Sequence, residues 1–289
     1  MKTVLAEKLV LGTVQFGTLY GVSNTLGVPN DEELARILDI ASGNGINILD
    51  SAPAYGNAQQ RLSQYAAKRF EVVSKFLNVR SQESLNTTLL QTLQDLGISK
   101  LYALISHNSE ELIANPELWD FLLDAKEKRQ TEKIGFSLYS PEQLEKLWEL
   151  GMKPDLVQLP YNLLDRKFQP YLLELKKQGC EIHVRSVFLQ GLFFLDLNHL
   201  PAKLETLRPA ISLIQDLCVK YGITVSELSL NFVKNNPLID KIIIGVASAD
   251  QLIKNIDEFS LNRVTHTVIE QILNIQVPDR KILNPVNWL

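Results

Sequence analysis

What this sequence lacks narrows it before anything it contains. Two cysteines, Cys180 and Cys218, are too few for a disulfide framework, so a reducing compartment, the cytoplasm, is the expected location. There is no excess of positive charge: 29 Lys and Arg stand against 33 Asp and Glu. Neither nucleic acid nor an anionic membrane surface is therefore an expected partner. The longest apolar stretch, Val184–Leu195, contains Arg185 and Gln190 and is too short to cross a bilayer. The opening MKTVLAEKLVLGT does not read as a signal peptide, because Glu7 and Lys8 interrupt its apolar run. No low-complexity segment, close internal repeat or domain linker is visible, and no metal site is expected. The glycine turn of open dinucleotide-binding sheets is also missing. Gly43-Asn44-Gly45 lacks the third glycine, and no glycine run leads into GK[ST].

What is present is a strand–helix alternation that runs from end to end. Short apolar runs at Lys8–Gly12, Ile46–Leu49, Glu71–Ser74, Leu101–Ile105, Lys133–Phe136, Leu156–Leu159, Glu181–Arg185 and Lys241–Ile244 read as strands. Helical periodicity fills the intervals: Asp31–Ser42 capped by Asn30 and ended by Gly43, Gln59–Lys68, Glu83–Leu96 before Gly97, and Pro116–Arg129. Capping boxes open helices at Ser140-Pro141-Glu142-Gln143 and Ser248-Ala249-Asp250-Gln251. Further helices are expected over Pro170–Gln178, Thr206–Tyr221, Val225–Asn235 and Thr267–Ile275, followed by an irregular tail. Strands apolar on both faces fit a parallel sheet, and eight such units fit a closed (β/α)8 TIM barrel with an added C-terminal helix better than an open doubly wound sheet. A barrel of this kind fills about 250 residues as one domain, so residues 1–289 are expected to form a single one.

A barrel of this class holds its chemistry where strands end. The closing residues are Thr13, Asp50, Lys75, His107, Ser137, Gln158, Arg185 with Ser186, and Gly245. Tyr55 follows Asp50 in the stretch INILDSAPAYG. Taken singly these are ordinary: a loop-capping carboxylate, a packed aromatic, a solvated lysine, a capping histidine. Taken together they place Asp, Tyr, Lys and His in one mouth, with Lys75 between apolar neighbours and so in need of a partner. That set suits carbonyl reduction. Hydride addition leaves charge on the carbonyl oxygen, which a proton donor must meet. A nearby ammonium favours the phenolate and makes a phenol a better acid, and a histidine can hold the oxygen by a hydrogen bond. The hydride itself must come from a cofactor.

The sequence resembles the aldo-keto reductase superfamily over most of its length. The resemblance rests on LGTVQFG, ILDSAPAYG, VVSKF, LISHNSEEL, IGFSLYSPEQL, LVQLPYNLLDR and IIIGVASADQLIKNI, in that order. It implies that Tyr55 is the general acid/base, tuned by Lys75 and Asp50, that His107 orients the carbonyl, and that a nicotinamide cofactor lies extended across the barrel mouth. Cofactor contacts carry over to Gly12, Thr13, Asp50, Ser137, Gln158, Arg185, Ser186, Phe188, Gly191, Gly245, Ser248, Gln251 and Asn255. The sequence departs from the family at Leu138, where an asparagine is usual, at Val187 for a proline, and at Arg185, where an aromatic residue usually stacks on the nicotinamide. Around the eighth strand the pattern is closer to the branch that includes potassium-channel β-subunits. There, Ser248 and the N-terminal amides of its helix are expected to receive a phosphate, which puts NADP(H) ahead of NAD(H).

The partner this implies is a small-molecule carbonyl substrate, on a monomer or weak homo-oligomer. A cofactor-binding regulatory subunit with little turnover is the alternative. The substrate pocket is expected from the loops Thr18–Val28, Asn108–Asn115, Gln190–Thr206 and the tail Leu283–Leu289. Candidate lining residues are Tyr20, Phe193, Phe194, Trp119 and Trp288, and a hydroxylated, sugar-derived carbonyl is the expected substrate.

Overall fold

The computed structural model describes residues 6–288. Eight parallel strands close into a barrel in sequence order, the eighth returning to pair with the first. They are β1 Leu9–Gly12, β2 Ile48–Asp50, β3 Glu71–Phe76, β4 Leu101–Ser106, β5 Thr131–Ser137, β6 Leu156–Pro160, β7 Glu181–Arg185 and β8 Lys241–Gly245. The helices between them are α1 Asp31–Gly43, α2 Ala58–Arg69, α3 Gln82–Leu96, α4 Glu110–Ala114, α5 Glu117–Glu127, α6 Pro141–Glu149, α7 Leu172–Lys177, α8 Arg208–Tyr221, α9 Val225–Lys234, α10 Ala249–Ser260 and α11 His266–Leu273.

Two cores hold this together. A small one fills the barrel lumen: Val10, Ile48, Val73, Ala103, Ile105 and Leu156. The larger packs the outward faces of the strands against the helices, as α1 does with Leu34, Ile37, Leu38 and Ala41. Strand side chains alternate between these faces with period two. Two residues beyond the last lumen residue of a strand, the next inward position falls at or near the strand's C-terminal end. Val10 leads to Gly12, Ile48 to Asp50, Val73 to Lys75, Ile105 to His107 and Leu156 to Gln158. The alternation that builds the core thus sets the ring of residues above it.

Local caps follow the expected chemistry. Asn30 accepts from the Glu33 amide at the start of α1, Ser140 and Gln143 form a capping box, and Gly97 ends α3 in the left-handed region at φ 65°. Most boundaries shift from expectation by a residue or two, and three differences bear on the site. The turn after α1 uses Gly45 at φ 79°, with Gly43 still helical and Asn44 as C-cap. β2 accordingly starts at Ile48 rather than Ile46 and runs through Asp50. The stretch expected as a loop over Asn108–Asn115 contains α4, with Leu112 fully buried against the large core.

Candidate active site

Asp50, Tyr55, Lys75 and His107 meet at the barrel mouth. Asp50 ends β2, Lys75 is the last residue but one of the neighbouring β3, and both are buried, 5% and 2% exposed. The Lys75 ammonium donates to both Asp50 carboxylate oxygens at 2.7 Å and to the Ser51 carbonyl at 3.1 Å. Gln158 Nε2, from across the barrel, also donates to Asp50. Thr13 Oγ1 donates to the Asp50 carbonyl at 3.0 Å, which fixes the strand end. The partner that Lys75 needs is therefore Asp50. Lys75 also lies 5.1 Å from the centre of the Tyr55 ring. The His107 and Tyr55 rings meet edge to face, centroids 5.8 Å apart. Tyr55 is placed by a backbone packed without slack: a Cβ on Gly17 would stand 1.9 Å from the Tyr55 carbonyl oxygen.

Burial sets the protonation of this group. The Tyr55 phenol is pushed well above its ordinary value, first by loss of solvent and then by the Asp50 charge. The Lys75 ammonium gives its protons to Asp50 and the Ser51 carbonyl and meets Tyr55 through the ring, so burial and Asp50 dominate the resting phenol. The Lys75 ammonium itself is pulled down by burial, against the pull of Asp50. Burial and then the Lys75 charge lower His107 to about 4, so its imidazole is neutral near pH 7. His107 Nδ1 is buried and has no partner.

One cavity of about 460 Å³ opens over the tetrad. Its lining contains Gly12, Thr13, Ser137, Gln158, Arg185, Ser186, Phe188, Gly191, Gly245, Gln251 and Asn255, so residues from both ends of the chain share one trench. Ser248 stands apart from it. Its hydroxyl accepts from the Gln251 amide, while the Ala247 amide is taken by Gln251 Oε1 and the Ala249 amide by Glu33. The amides at the helix N-terminus expected to receive a phosphate are thus taken by Ser248 and Gln251 of that helix and by Glu33 of α1. Of the expected substrate-lining residues, Tyr20 and Phe194 face the cavity. The others do not. Phe193 is fully buried, Trp119 packs on Phe136 in the core, and Trp288 donates to the Ile282 carbonyl within the tail. Beyond His107, the 108–115 segment adds nothing to the lining, nor do residues 283–288; Leu289 lies outside the described residues.

Other lining residues were not singled out from the sequence, although Ser23, Asn24 and Gln190 lie in loops expected to build the pocket. Tyr139 lies under the Arg185 guanidinium at 4.4 Å. Gln15, Ser23, Asn24 and Gln190 also line the cavity. Gln190 donates to Tyr20 Oη at 3.0 Å and its carbonyl accepts from the Val22 amide, which ties the loop after β1 to the loop after β7 across the opening. A Cβ on Gly191, at φ 88°, would strike Ser23 Oγ at 1.8 Å. These contacts join residues of no recognisable pattern, so only the folded chain shows them.

The trench fits a nicotinamide dinucleotide. Gln158 Oε1 and Gln15 Oε1 are buried acceptors without partners, suited to an amide N–H, and Ser137 ends the neighbouring strand. Gly245 keeps the floor low, since a Cβ there would meet Gln15 Oε1 at 2.3 Å. Among the described residues no cluster of His, Cys, Asp or Glu could hold a metal, and no helix is long and apolar enough to cross a membrane.

Known proteins give the same reading. The sequence model of the Aldo/keto reductase family matches residues 8–276. NADH-specific methylglyoxal reductase of Escherichia coli (strain K12) is 24% identical over 261 residues, which cover 75% of this chain and 80% of that enzyme. L-glyceraldehyde 3-phosphate reductase of the same organism is 25% identical over 215 residues, covering 66% of this chain and 62% of that enzyme. The holo form of an aldo-keto reductase from Bacillus halodurans shares the fold with a TM-score of 0.76 at 17% identity, over 92% of this chain and 91% of that one. The chain belongs to the aldo/keto reductase family and is an oxidoreductase acting on carbonyl groups.

Proposed function

We propose that the protein reduces an aldehyde or ketone to the alcohol, with a proton from Tyr55. The observation that carries this reading is the packing of Tyr55 against both His107 and the buried Lys75–Asp50 pair at the floor of the cavity. A bound nicotinamide cofactor supplies the hydride. Tyr55 enters the reaction protonated, because burial holds its phenol well above the ordinary value. It gives that proton to the carbonyl oxygen as negative charge develops there. Lys75, beside the ring, offsets the cost of the phenolate that remains. Asp50 keeps the buried lysine charged and in place, and Gln158 braces Asp50. His107, neutral, donates a hydrogen bond that sets the angle of the substrate oxygen, and Tyr20 borders the substrate.

Gly12, Thr13, Asp50, Ser137, Gln158, Arg185, Ser186, Phe188, Gly191, Gly245, Gln251 and Asn255 are proposed to hold the cofactor, with Asn255 at its adenine end. NADP(H) remains the proposed form, now through Lys254 rather than Ser248. Lys254 lines the same end of the trench, and its nearest carboxylate, Glu258 at 4.0 Å, already accepts from Thr224 and Ser226. Glu33, at the α10 N-terminus, opposes a second phosphate and keeps the preference small. The name of the methylglyoxal reductase relative, which is NADH-specific, agrees with a preference that shifts within the family. Oxidation of NADPH and NADH with a panel of aldehydes, ketones and aldoses tests the proposal. Tight cofactor binding without turnover of any carbonyl would favour a regulatory subunit instead.

A further inference from the structure

Charge in the cavity is not balanced. Its lining carries Lys75, Arg185 and Lys254 against one carboxylate, Asp50, and Lys75 already occupies that carboxylate. Lys254 sits at the far end with Gln251 and Asn255. Arg185 sits at the chemical end: its charge bears on Tyr55, Tyr20, His107 and Lys75 together. Among the described residues no carboxylate pairs with Arg185. It donates to the Leu138 carbonyl at 2.9 Å and, weakly, to Ser186 Oγ at 3.4 Å, and Tyr139 covers one face of its guanidinium. Two of five N–H groups are used, which leaves a pre-set fork of donors facing the cavity.

The arm is also fixed from behind. The next residue, Ser186, is held in the left-handed region at φ 61°, an uncommon place for a residue with a side chain. Its carbonyl accepts at 3.0 Å from the buried Asn162. Backbone strain at a cavity rim persists only where surrounding contacts over-determine it. A half-buried cation, stacked, aimed and lacking an anion, is arranged for an anion that arrives with a ligand.

We propose that Arg185 anchors a carboxylate or phosphate group of the carbonyl substrate, so that the enzyme selects anionic carbonyl compounds over neutral ones of the same length. The proposal rests on the carbonyl-reduction reading of the same cavity. Anionic groups could reach Arg185 from the substrate or from the cofactor's pyrophosphate, and the experiment separates them.

Two matched pairs serve as probes: succinic semialdehyde with butanal, and glyceraldehyde 3-phosphate with glyceraldehyde. The wild-type enzyme is expected to prefer the anionic member by kcat/KM. In Arg185→Met the anionic-to-neutral ratio is expected to fall by about 30-fold, from the loss of a charged hydrogen-bonding partner, whatever loss the two probes share. Arg185→Lys, which keeps the charge, is expected to retain most of the ratio and shows that the loop still folds around a long side chain. Arg185 is also among the residues proposed to hold the cofactor, so NADPH affinity is read separately by nicotinamide fluorescence; any loss of it falls equally on both members of a pair and cancels from the ratio. An unchanged ratio, with equal losses for both probes and weakened NADPH binding, would assign Arg185 to the cofactor alone and overturn the proposal. Titrating the same probes into the enzyme–NADPH complex gives the ratio by binding alone. Preferential binding of the anionic probes without reduction would leave the anchor standing and overturn the reductase reading.

Discussion

Replacing Asp50 by asparagine isolates the feature on which the site is built. The change keeps the size of the side chain and removes its charge. Lys75, 2% exposed, would lose the carboxylate that takes its protons at 2.7 Å on both oxygens. The new amide nitrogen would also face a donor in either orientation, Lys75 Nζ at both oxygen positions and Gln158 Nε2 as well at one of them. Breaking a buried pair by removing one partner costs about 3–5 kcal/mol, because the remaining charge is left without compensation. For a chain of this length that lowers the melting temperature by roughly 6–15 °C. The pH dependence has a definite sign. Burial already holds the Lys75 ammonium below its ordinary value, and losing Asp50, which raises it, drives it lower. Between that lowered value and 10.5 the unfolded chain binds a proton that the folded variant does not, so stability rises with pH across this window. Thermal melts followed by circular dichroism at about pH 7 and about pH 9.5 read both effects, with the deficit expected to shrink at the higher pH. A variant melting within about 2 °C of wild type at both pH values would refute the claim that the pair is a buried, mutually dependent unit.

Other perturbations test neighbouring parts of the account. His107 takes up its proton near 4 rather than at 6.5, so its folded form resists protonation. Stability should therefore fall by about 3 kcal/mol as pH drops from 6.5 to 4, and a His107→Gln variant, compared by urea melts, should lose that slope. Reduction should show no histidine titration between about pH 5 and 8, and an inflection near the ordinary histidine value would contradict the neutral assignment. Lys254→Glu should weaken NADPH binding by roughly tenfold with little effect on NADH, whereas Glu33→Gln should move the ratio of the two dissociation constants toward NADPH. Gly17→Ala should lower kcat by tenfold or more with cofactor affinity kept, because a Cβ at that point must displace the Tyr55 backbone.

The barrel was legible in the sequence because each unit carries its own punctuation. Apolar runs such as LVLG and KIIIG, and caps such as Asn30 and Ser140, each act locally, and the strands they delimit pair as expected. The meeting of Asp50, Lys75 and His107 was legible because they sit at strand ends, where period-two alternation decides which side chain reaches the mouth, and Tyr55 follows Asp50 in the loop after β2. What could not be read depends on contacts between distant loops. Gln190 meets Tyr20 and Ser23 meets Gly191 only after the barrel closes. Phe193 and Phe194 are adjacent and chemically alike, yet one is core and one lines the cavity. The loop backbone decides between them, with Leu189 and Gln190 both at positive φ. The surroundings of Ser248 were hidden for a related reason. A capped helix terminus looks free in a sequence, whereas here Glu33 from α1 reaches across to fill it.

The central claim, that Tyr55 delivers the proton in a carbonyl reduction, is tested most directly by Tyr55→Phe in a single-turnover measurement. Enzyme preloaded with reduced cofactor is mixed with an aldehyde that the wild-type protein turns over, and loss of nicotinamide fluorescence is followed. The substitution keeps the ring that His107 meets edge to face and removes only the acidic hydroxyl. Cofactor oxidation is expected to slow by about 100- to 10,000-fold while cofactor affinity stays within about twofold of wild type. Oxidation at close to the wild-type rate would contradict the assignment and move the proton donor elsewhere in the cavity.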